Sequence, residues 1–355
     1  MNKFIDLGSD TATKPTRGML EFMMSCEVGD DQKQEDPTVN ALQERVAALL
    51  GKEAALFLPS ATMANEIAIK VHTRPGDDVI LDSESHYVTS EAGGPAFLSG
   101  VSLRGVPGMR GIFSGEQVER AVQRDDPHCP RSRLVCVEQT TNRGGGAVWS
   151  LQQLQDVAAA ARKHNLATHM DGSRLLNAAV ASGLAPKAHT ALYDSITLCL
   201  TKGLGCPIGA LLSGDAGFIL EARRYKHVFG GAMRQAGVVA GAGLFALDHH
   251  VDRLAEDHAN ARHLAELLAG ISGIRVDPAS VETNIVFFDV ADTGFTGPQL
   301  VTLLRAAGVR MGAWPNETQI RAVTHLDVPR ADIQEAAARL RDIVANCDQR
   351  VRVAS

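Results

Sequence analysis

The sequence predicts an α/β fold, a mostly parallel sheet flanked by helices, followed by a smaller α+β domain. Three observations lead there. Apolar runs of strand length, among them Ala54 to Leu58, Leu134 to Val137, Leu166 to Met170 and Ser195 to Leu200, alternate with amphipathic helical stretches over much of the chain. Two of these runs end abruptly, one in Asp171 and the other just before Lys202. A chain of 355 residues also exceeds one small core and fits a large domain plus a smaller one.

Residues 1 to 37 read as an arm rather than a packed unit. Phe4 to Leu7 suits a short strand, but Ser9 to Pro15 is turn-rich and Gly29-Asp30-Asp31 opens a polar loop. Such a stretch is either solvated or reaches into a site. Asp36-Pro37 then pairs an N-cap with proline in the first helical turn, Val39, Leu42, Val46, Leu49 and Leu50 form one apolar stripe, and Gly51 stops the helix. The strand at 54–58 passes through Pro-Ser-Ala-Thr-Met-Ala-Asn (59–65) into a helix running to about Val71. After the turn at 75–78, the strand Val79 to Leu81 leads to His86.

Ser114 to Gln117 and Ser150 to Gln153 have the spacing of capping boxes, the first opening a helix to about Gln123 and the second an alanine-rich helix to His164. Between them the strand at 134–137 ends in Glu138. Beyond Lys202, Ala216 to Lys226 is helical, and one long helical region is expected from about Gly237 to Gly270, with the domain boundary near 245. Asn284 to Val290 and Gln319 to Thr324 read as strands, and Thr296 to Ala307 and Arg330 to Asn346 as helices. The expected domains are therefore 1–245 and 246–355.

Hydrophobic residues at 45% and charged residues at 21% are ordinary for a globular chain, and a net charge of -6 offers no basic field for nucleic acid or anionic membrane. A small-molecule ligand is expected. The six cysteines, at 26, 129, 136, 199, 206 and 347, form no CxxC pair and no metal-type spacing with histidine, so no metal is expected. Met1 to Pro15 turns polar before a secretory apolar core forms, no run reaches membrane-spanning length, and a cytoplasmic location is expected.

The carboxyl ends of parallel strands face the ligand crevice, so Asp171 and Lys202 are delivered to one small molecule. Thr201 and Gly203-Leu204-Gly205 leave little bulk around the amine. An acid for a pyridinium nitrogen and a lysine for a Schiff base are the two protein groups that pyridoxal phosphate requires. Singly, each has a plainer reading: a lysine after a strand is usually solvated, and Asp-Gly is usually a turn. The small and hydroxyl residues at 60–62 suit an anion at a helix N-terminus but are also ordinary caps. His86 is either structural or a flat ring that stacks on the cofactor and moves a proton. Arg321 is either a surface ion-pair partner or a carboxylate clamp.

Taken together, Asp6 to Thr16, Val28 to Asp31, Glu35 to Gln43, Gly51 to Asn65, Glu91 to Gly94, His169 to Val180, Cys199 to Ala210, Gly230 to Gly237 and Val323 to Val328 resemble the low-specificity L-threonine aldolases over nearly the whole chain. The resemblance implies pyridoxal-phosphate-dependent fold type I, with a mostly parallel seven-stranded sheet in the large domain. It implies an aldehyde-lyase that cleaves the Cα–Cβ bond of L-β-hydroxy-α-amino acids to glycine and an aldehyde. It also implies a homotetramer, a dimer of dimers with the active site at a subunit interface. By the same resemblance Lys202 is the Schiff-base lysine, Asp171 the partner of the pyridine nitrogen, His86 the stacking ring and base, and Arg174 the partner of the phenolic oxygen. The turn Ser60-Ala61-Thr62 holds the phosphate, Ser9 and Arg321 bind the substrate carboxylate, Arg234 lines the site across a subunit boundary, and Glu91 supports His86.

The sequence departs from the family pattern where Thr141 replaces a histidine, Lys33-Gln34 replaces Tyr-Gly, Gly8 an arginine, His227 a lysine, Ala61 a glycine and Ser173 an alanine. The cofactor apparatus is retained while the side-chain pocket changes, and Lys33 and Thr141 are its candidate residues. A polar or acidic β-hydroxy amino acid is the substrate that Lys33 would favour. Alternatives are a β-eliminating lyase or aminotransferase of the same fold, and a non-catalytic ligand-binding protein.

Overall fold

The computed structural model describes residues 3–314 and 316–353, with side chains to Asn346; the Cys347 thiol lies outside the described residues. Two compact units form, one from Pro15 to Val251, the other from the N-terminal residues through Lys14 together with those from Asp252 onward. Strand β1 (Ile5–Asp6) belongs to the second of these. The larger unit is built on β2 (Ala54–Leu58), β3 (Asp78–Asp82), β4 (Ser102–Val106), β5 (Ser132–Glu138), β6 (Ala167–Gly172), β7 (Ser195–Cys199) and β8 (Ala210–Gly214). They form one seven-stranded sheet in the order β2-β8-β7-β6-β5-β3-β4.

The sheet is parallel from β4 through β3, β5 and β6 to β7, and antiparallel where β8 joins β7 and β2. Every residue of β3, β7 and β8 is buried. That explains why β3 and β7 read as continuous apolar runs rather than as alternation: both faces are covered. The helix Pro37–Leu50 starts where Asp36 Oδ1 accepts the Val39 N–H at 3.0 Å and stops at Gly51, whose φ of 64° is left-handed. Both expected capping boxes close, at Ser114/Gln117 and at Ser150/Gln153.

In the smaller unit β9 (Ile285–Asp289) precedes β10 (Val309–Arg310), β11 (Gly312–Ala313) and β12 (Gln319–Val323). Strands β11, β12 and β9 make an antiparallel sheet, and β1 pairs in parallel with β10. Leu7, Leu264, Phe288, Leu300, Ile333 and Leu340 belong to its core.

Several expectations are corrected. Residues 3–37 are packed, not a free arm. Leu7 donates its N–H to Arg310 O at 2.8 Å and accepts from Val323 N at 2.9 Å, and buried Asp10 accepts from Asn284 Nδ2 at 3.0 Å. Thr16 caps an unexpected helix, Arg17–Ser25, that buries Met19. The boundary falls after Val251, and the first fourteen residues join the C-terminal unit because β1 hydrogen-bonds to β10. The long helical region expected over about 237–270 consists of two helices, Gly237–His249 and Leu254–Ala269. His250 turns its Nδ1 to the Leu204 carbonyl at 2.7 Å, and Arg253 forks onto Asp257 within the next turn. Leu254–Ala269 therefore joins Gly297–Ala306 and Arg330–Val353 in the smaller unit, which among the described residues holds three α-helices rather than two.

Among the described residues, Cys26, Cys129, Cys136, Cys199 and Cys206 are free thiols, and no helix is long and apolar enough to cross a membrane.

Candidate active site

Parallel register brings the site's acids together. Glu138 at the end of β5 pairs with Asp171 near the end of β6, so two carboxyls emerge side by side at the carboxyl edge of the sheet. Asp171 is buried; its Oδ2 accepts from Asn65 Nδ2 at 3.0 Å and its Oδ1 from Ser173 N at 2.9 Å. Burial pushes this carboxyl up, but the charges of Lys202 and His86 and the bonds from Ser173 and Asn65 outweigh it and hold the group below the ordinary aspartate range. Asp171 is therefore an ionised acid in a dry place.

His86 follows β3 and opens the short helix His86–Thr89. Its N–H donates to Glu138 Oε2 at 3.2 Å and its Nδ1 lies 2.7 Å from Glu91 Oε1. The bond to Glu91 raises the imidazole pKa above the usual histidine value against the opposing effect of burial, with Asp171 and Glu138 adding to the rise. Ligand atoms of His86, Glu91 and Asp171 lie within 4.8 Å of one another, close enough for their charges to act as one cluster. Glu138 is pushed up to about 7 by burial and then by Asp171, while the N–H bonds of Asn142 and His86 and the charge of His86 pull the other way. The segment after it is fixed by Trp149, whose Nε1–H donates to Glu138 O at 3.1 Å.

Strand alternation puts His169 on the same face as Asp171. His169 Nε2 is 3.4 Å from Asn65 Oδ1, and its Nδ1 is 2.8 Å from Ser195 Oγ, which in turn is 2.7 Å from His72 Nε2. Burial drives His169 down to about 3 and His72 down to about 4, so both rings are neutral. A neutral His169 donates from Nε2 to Asn65, which fixes the amide so that its Nδ2 serves Asp171.

Ser60 and Thr62 stand at the first turn of the helix Ala61–His72, where Ser60 Oγ accepts from Met63 N at 3.1 Å. With Glu66, Lys70 and Tyr225 they line a cavity of about 590 Å³. Ala61 is the first residue of that helix. Lys202 follows β7 by three residues and is partly buried. Arg174 is buried and donates its N–H to Gln139 O at 3.0 Å. Thr141 is buried and bonded through its N–H to Ala147 O at 3.2 Å. Arg234 pairs with Asp30 at 2.9 Å, and Lys33 is exposed on the adjoining turn. In the smaller unit, Ser9 Oγ accepts from Thr11 N at 3.2 Å, and the buried Arg321 guanidinium sits 5.2 Å above the Trp314 ring.

Of the expected residues, His86 and Asp171 are brought together, Lys202 acts on Asp171 through its charge, and Glu91 directly contacts His86. Sequence reasoning missed Asn65, Glu66, Glu138 and His169 as members of the cluster. Two had a legible signal: Glu138 its place at a strand end, and His169 its two-residue spacing from Asp171 within a strand.

Residues 6–292 match the model of the beta-eliminating lyase family. The low specificity L-threonine aldolase of Escherichia coli K12 is 42% identical over 344 residues, covering 96% of this chain and 99% of its own. A Leishmania major threonine aldolase structure superposes with a TM-score of 0.81 at 22% identity, over 96% of this chain and 99% of that one. A Listeria monocytogenes structure described as a putative L-allo-threonine aldolase gives 0.79 at 20% identity, over 95% and 96%. With strand order, acid cluster and kinship in agreement, the chain belongs to the low-specificity L-threonine aldolase family, within the beta-eliminating lyases.

Proposed function

We propose that this chain is a pyridoxal-5'-phosphate-dependent lyase that cleaves L-β-hydroxy-α-amino acids into glycine and an aldehyde. The observation that carries the reading is Asp171, a buried carboxylate kept ionised at a strand end and held by Asn65 and Ser173. A buried acid held ionised in this way suits a protonated ring nitrogen, and the other donors fit the same cofactor. The helix N-terminus at Ser60-Ala61-Thr62 offers N–H groups and dipole to its phosphate, Arg174 serves its phenolic oxygen, and Lys202 supplies the amine for its aldehyde carbon. Once bound, pyridoxal phosphate supplies an electron sink for the pair released from the Cα–Cβ bond.

The remaining work falls to the protein. Asp171 keeps the ring nitrogen protonated. Arg321 and Ser9 hold the substrate carboxylate, with Arg234 lining the site, and so choose which Cα bond is broken. His86 covers the ring and accepts the β-hydroxyl proton, and Glu91 fixes its tautomer by taking the Nδ1 proton in a hydrogen bond. Lys33 and Thr141 shape the side-chain pocket. We assign the protein to the cytoplasm and to a homotetramer; free thiols support the first, and the exposed apolar residues Met24, Phe97, Met109 and Val228 support an assembly.

The test is product identity. Incubating the holoenzyme with threonine, allo-threonine, phenylserine and β-hydroxyaspartate should release glycine and aldehyde in equal amounts. Ammonia with a keto acid would instead assign the β-eliminating activity, and neither product from any of the four would sink the reading.

A further inference from the structure

Behind His86 lie two buried carboxyls that lack enough donors. Glu91 Oε1 is bonded to both Asn65 Nδ2 and His86 Nδ1, while its Oε2 receives none. Among the described residues, neither oxygen of Glu66 receives a donor either. The Glu66 carboxyl occupies the space that a Cβ on Gly94 would fill, and Gly94 donates its N–H to Glu91 O at 2.8 Å, so the two carboxyls are brought within hydrogen-bonding reach of each other. Lys70, one turn further along the Glu66 helix, does not neutralise the pair: its Nζ donates to Leu98 O at 2.9 Å and lies 5.9 Å from the Tyr225 ring centroid.

Two ionised carboxylates in this position would repel with no cation between them. A single proton turns one into a donor and the other into its acceptor, and satisfies the orphaned oxygens at once. We infer that Glu66 and Glu91 share one proton across their facing carboxyls, and that this proton sets the ionisation of the His86 imidazole through Glu91. Glu66 is thus a positioning residue whose side chain also borders the cavity of about 590 Å³, from which water can exchange the proton.

Several charged and titratable groups face this unit. Asp171 and Glu138 act on His86 from β6 and β5, the buried Tyr87 phenol and Cys136 thiol feel the charge of Glu91, and Lys70 and Tyr225 share the cavity with Glu66. Burial first, and then the charge and hydrogen bond of Glu91, lift the Glu66 carboxyl to about 9, so the pair keeps its proton through neutral pH. When that proton leaves, a second negative charge appears beside Glu91. It favours the imidazolium form of His86, which cannot accept the substrate's proton.

The pair stands on its own geometry; only its effect on turnover rests on His86 acting as the base. The test uses the holoenzyme with ¹³C-labelled glutamate, read by infrared spectroscopy, and with the His86 ring followed by NMR through a pH titration. A protonated carboxyl band is expected to survive between about 7 and 9, above where Glu138 gives up its proton. It should fade near 9, together with a second inflection of the His86 signal, and both should be absent from Glu66→Gln. No such band in the wild type between about 7 and 9 overturns the inference, with or without a folded variant. A band in that range or an inflection near 9 that persists in Glu66→Gln overturns it as well. If both signals behave as expected but no aldehyde is ever formed, the shared proton stands and the proposed activity falls.

Discussion

One side-chain amide ties the two buried acids of this site together: Asn65 Nδ2 lies 3.0 Å from Asp171 Oδ2 and 3.0 Å from Glu91 Oε1. The ionised state of Asp171 depends in part on this donor, and the amide's orientation depends on neutral His169 bonding its oxygen. Replacing Asn65 with Ala strips a donor from both carboxyls without giving them water. A loss of about 1–3 kcal/mol in folding stability is expected, with weaker retention of pyridoxal phosphate. Urea denaturation and a cofactor titration measure the two effects, and unchanged values in Asn65→Ala would show that the amide matters to neither.

Asp171→Asn keeps the size of the side chain and removes its charge. The ring nitrogen of a bound pyridoxal then loses the partner that keeps it protonated, and glycine release should drop by about 10²-fold or more. Cofactor binding, for which Lys202 and the 60–62 turn are also proposed, should persist in the visible spectrum. Full activity in this variant would remove Asp171 from the proposed mechanism.

Much of the frame was legible because local signals and tertiary structure agree. Asp36 and Gly51 mark their helix, both capping boxes close, and the strand ends that present Asp171 and Lys202 fall where apolar runs stop. Strand β4 was illegible because Arg104 and Gly105 interrupt it; the arginine is accommodated by an ion pair with Asp78 at 2.6 Å. Strand β8 hid in a glycine-flanked run of five residues. Asn65 and Glu66 could not be assigned to the site from sequence, since which face of a short helix meets a strand end is decided by the sheet beneath it. The arm was misread because Asp10 and Asp31, polar in sequence, are buried against Asn284 and Lys226.

Asp31 and Lys226 form a 2.6 Å ion pair with side chains 7% and 4% exposed. Removing one partner leaves a buried charge, so Lys226→Met should cost about 3–5 kcal/mol, and the double variant Asp31→Asn/Lys226→Met should recover part of it. Chemical denaturation of the four proteins in the cycle checks this. A double variant whose loss equals the sum of the two single losses would show that the two residues do not couple.

The same turn carries Lys33, the proposed side-chain selectivity residue. Asp30 accepts the Gln32 N–H at 3.0 Å and pairs with Arg234 at 2.9 Å, which anchors the turn Asp31–Lys33 beside a second cation. Lys33 is exposed, so its attraction for an acidic side chain is worth no more than about 1 kcal/mol. Lys33→Tyr should accordingly shift kcat/KM for β-hydroxyaspartate relative to threonine and phenylserine downward by a few-fold. An unchanged ranking of the three substrates eliminates Lys33 as a selectivity residue.

Acid sensitivity should come from the buried histidines beneath the site. Burial depresses His169 to about 3 and His72 to about 4, whereas both return to about 6.5 when the chain unfolds. Between those values the unfolded chain binds more protons than the folded one, so stability rises with pH across the window and is lost as pH falls through it. Each ring contributes a slope of at most about 1.4 kcal/mol per pH unit, vanishing above the unfolded value and below the folded one. His72→Asn should flatten the curve on the acid side, because asparagine retains a hydrogen bond to Ser195 without a titratable site. Unfolding free energies of wild type and variant, taken between pH 4 and 7, should converge as pH falls relative to their difference at neutrality; parallel curves would assign the acid lability to other groups.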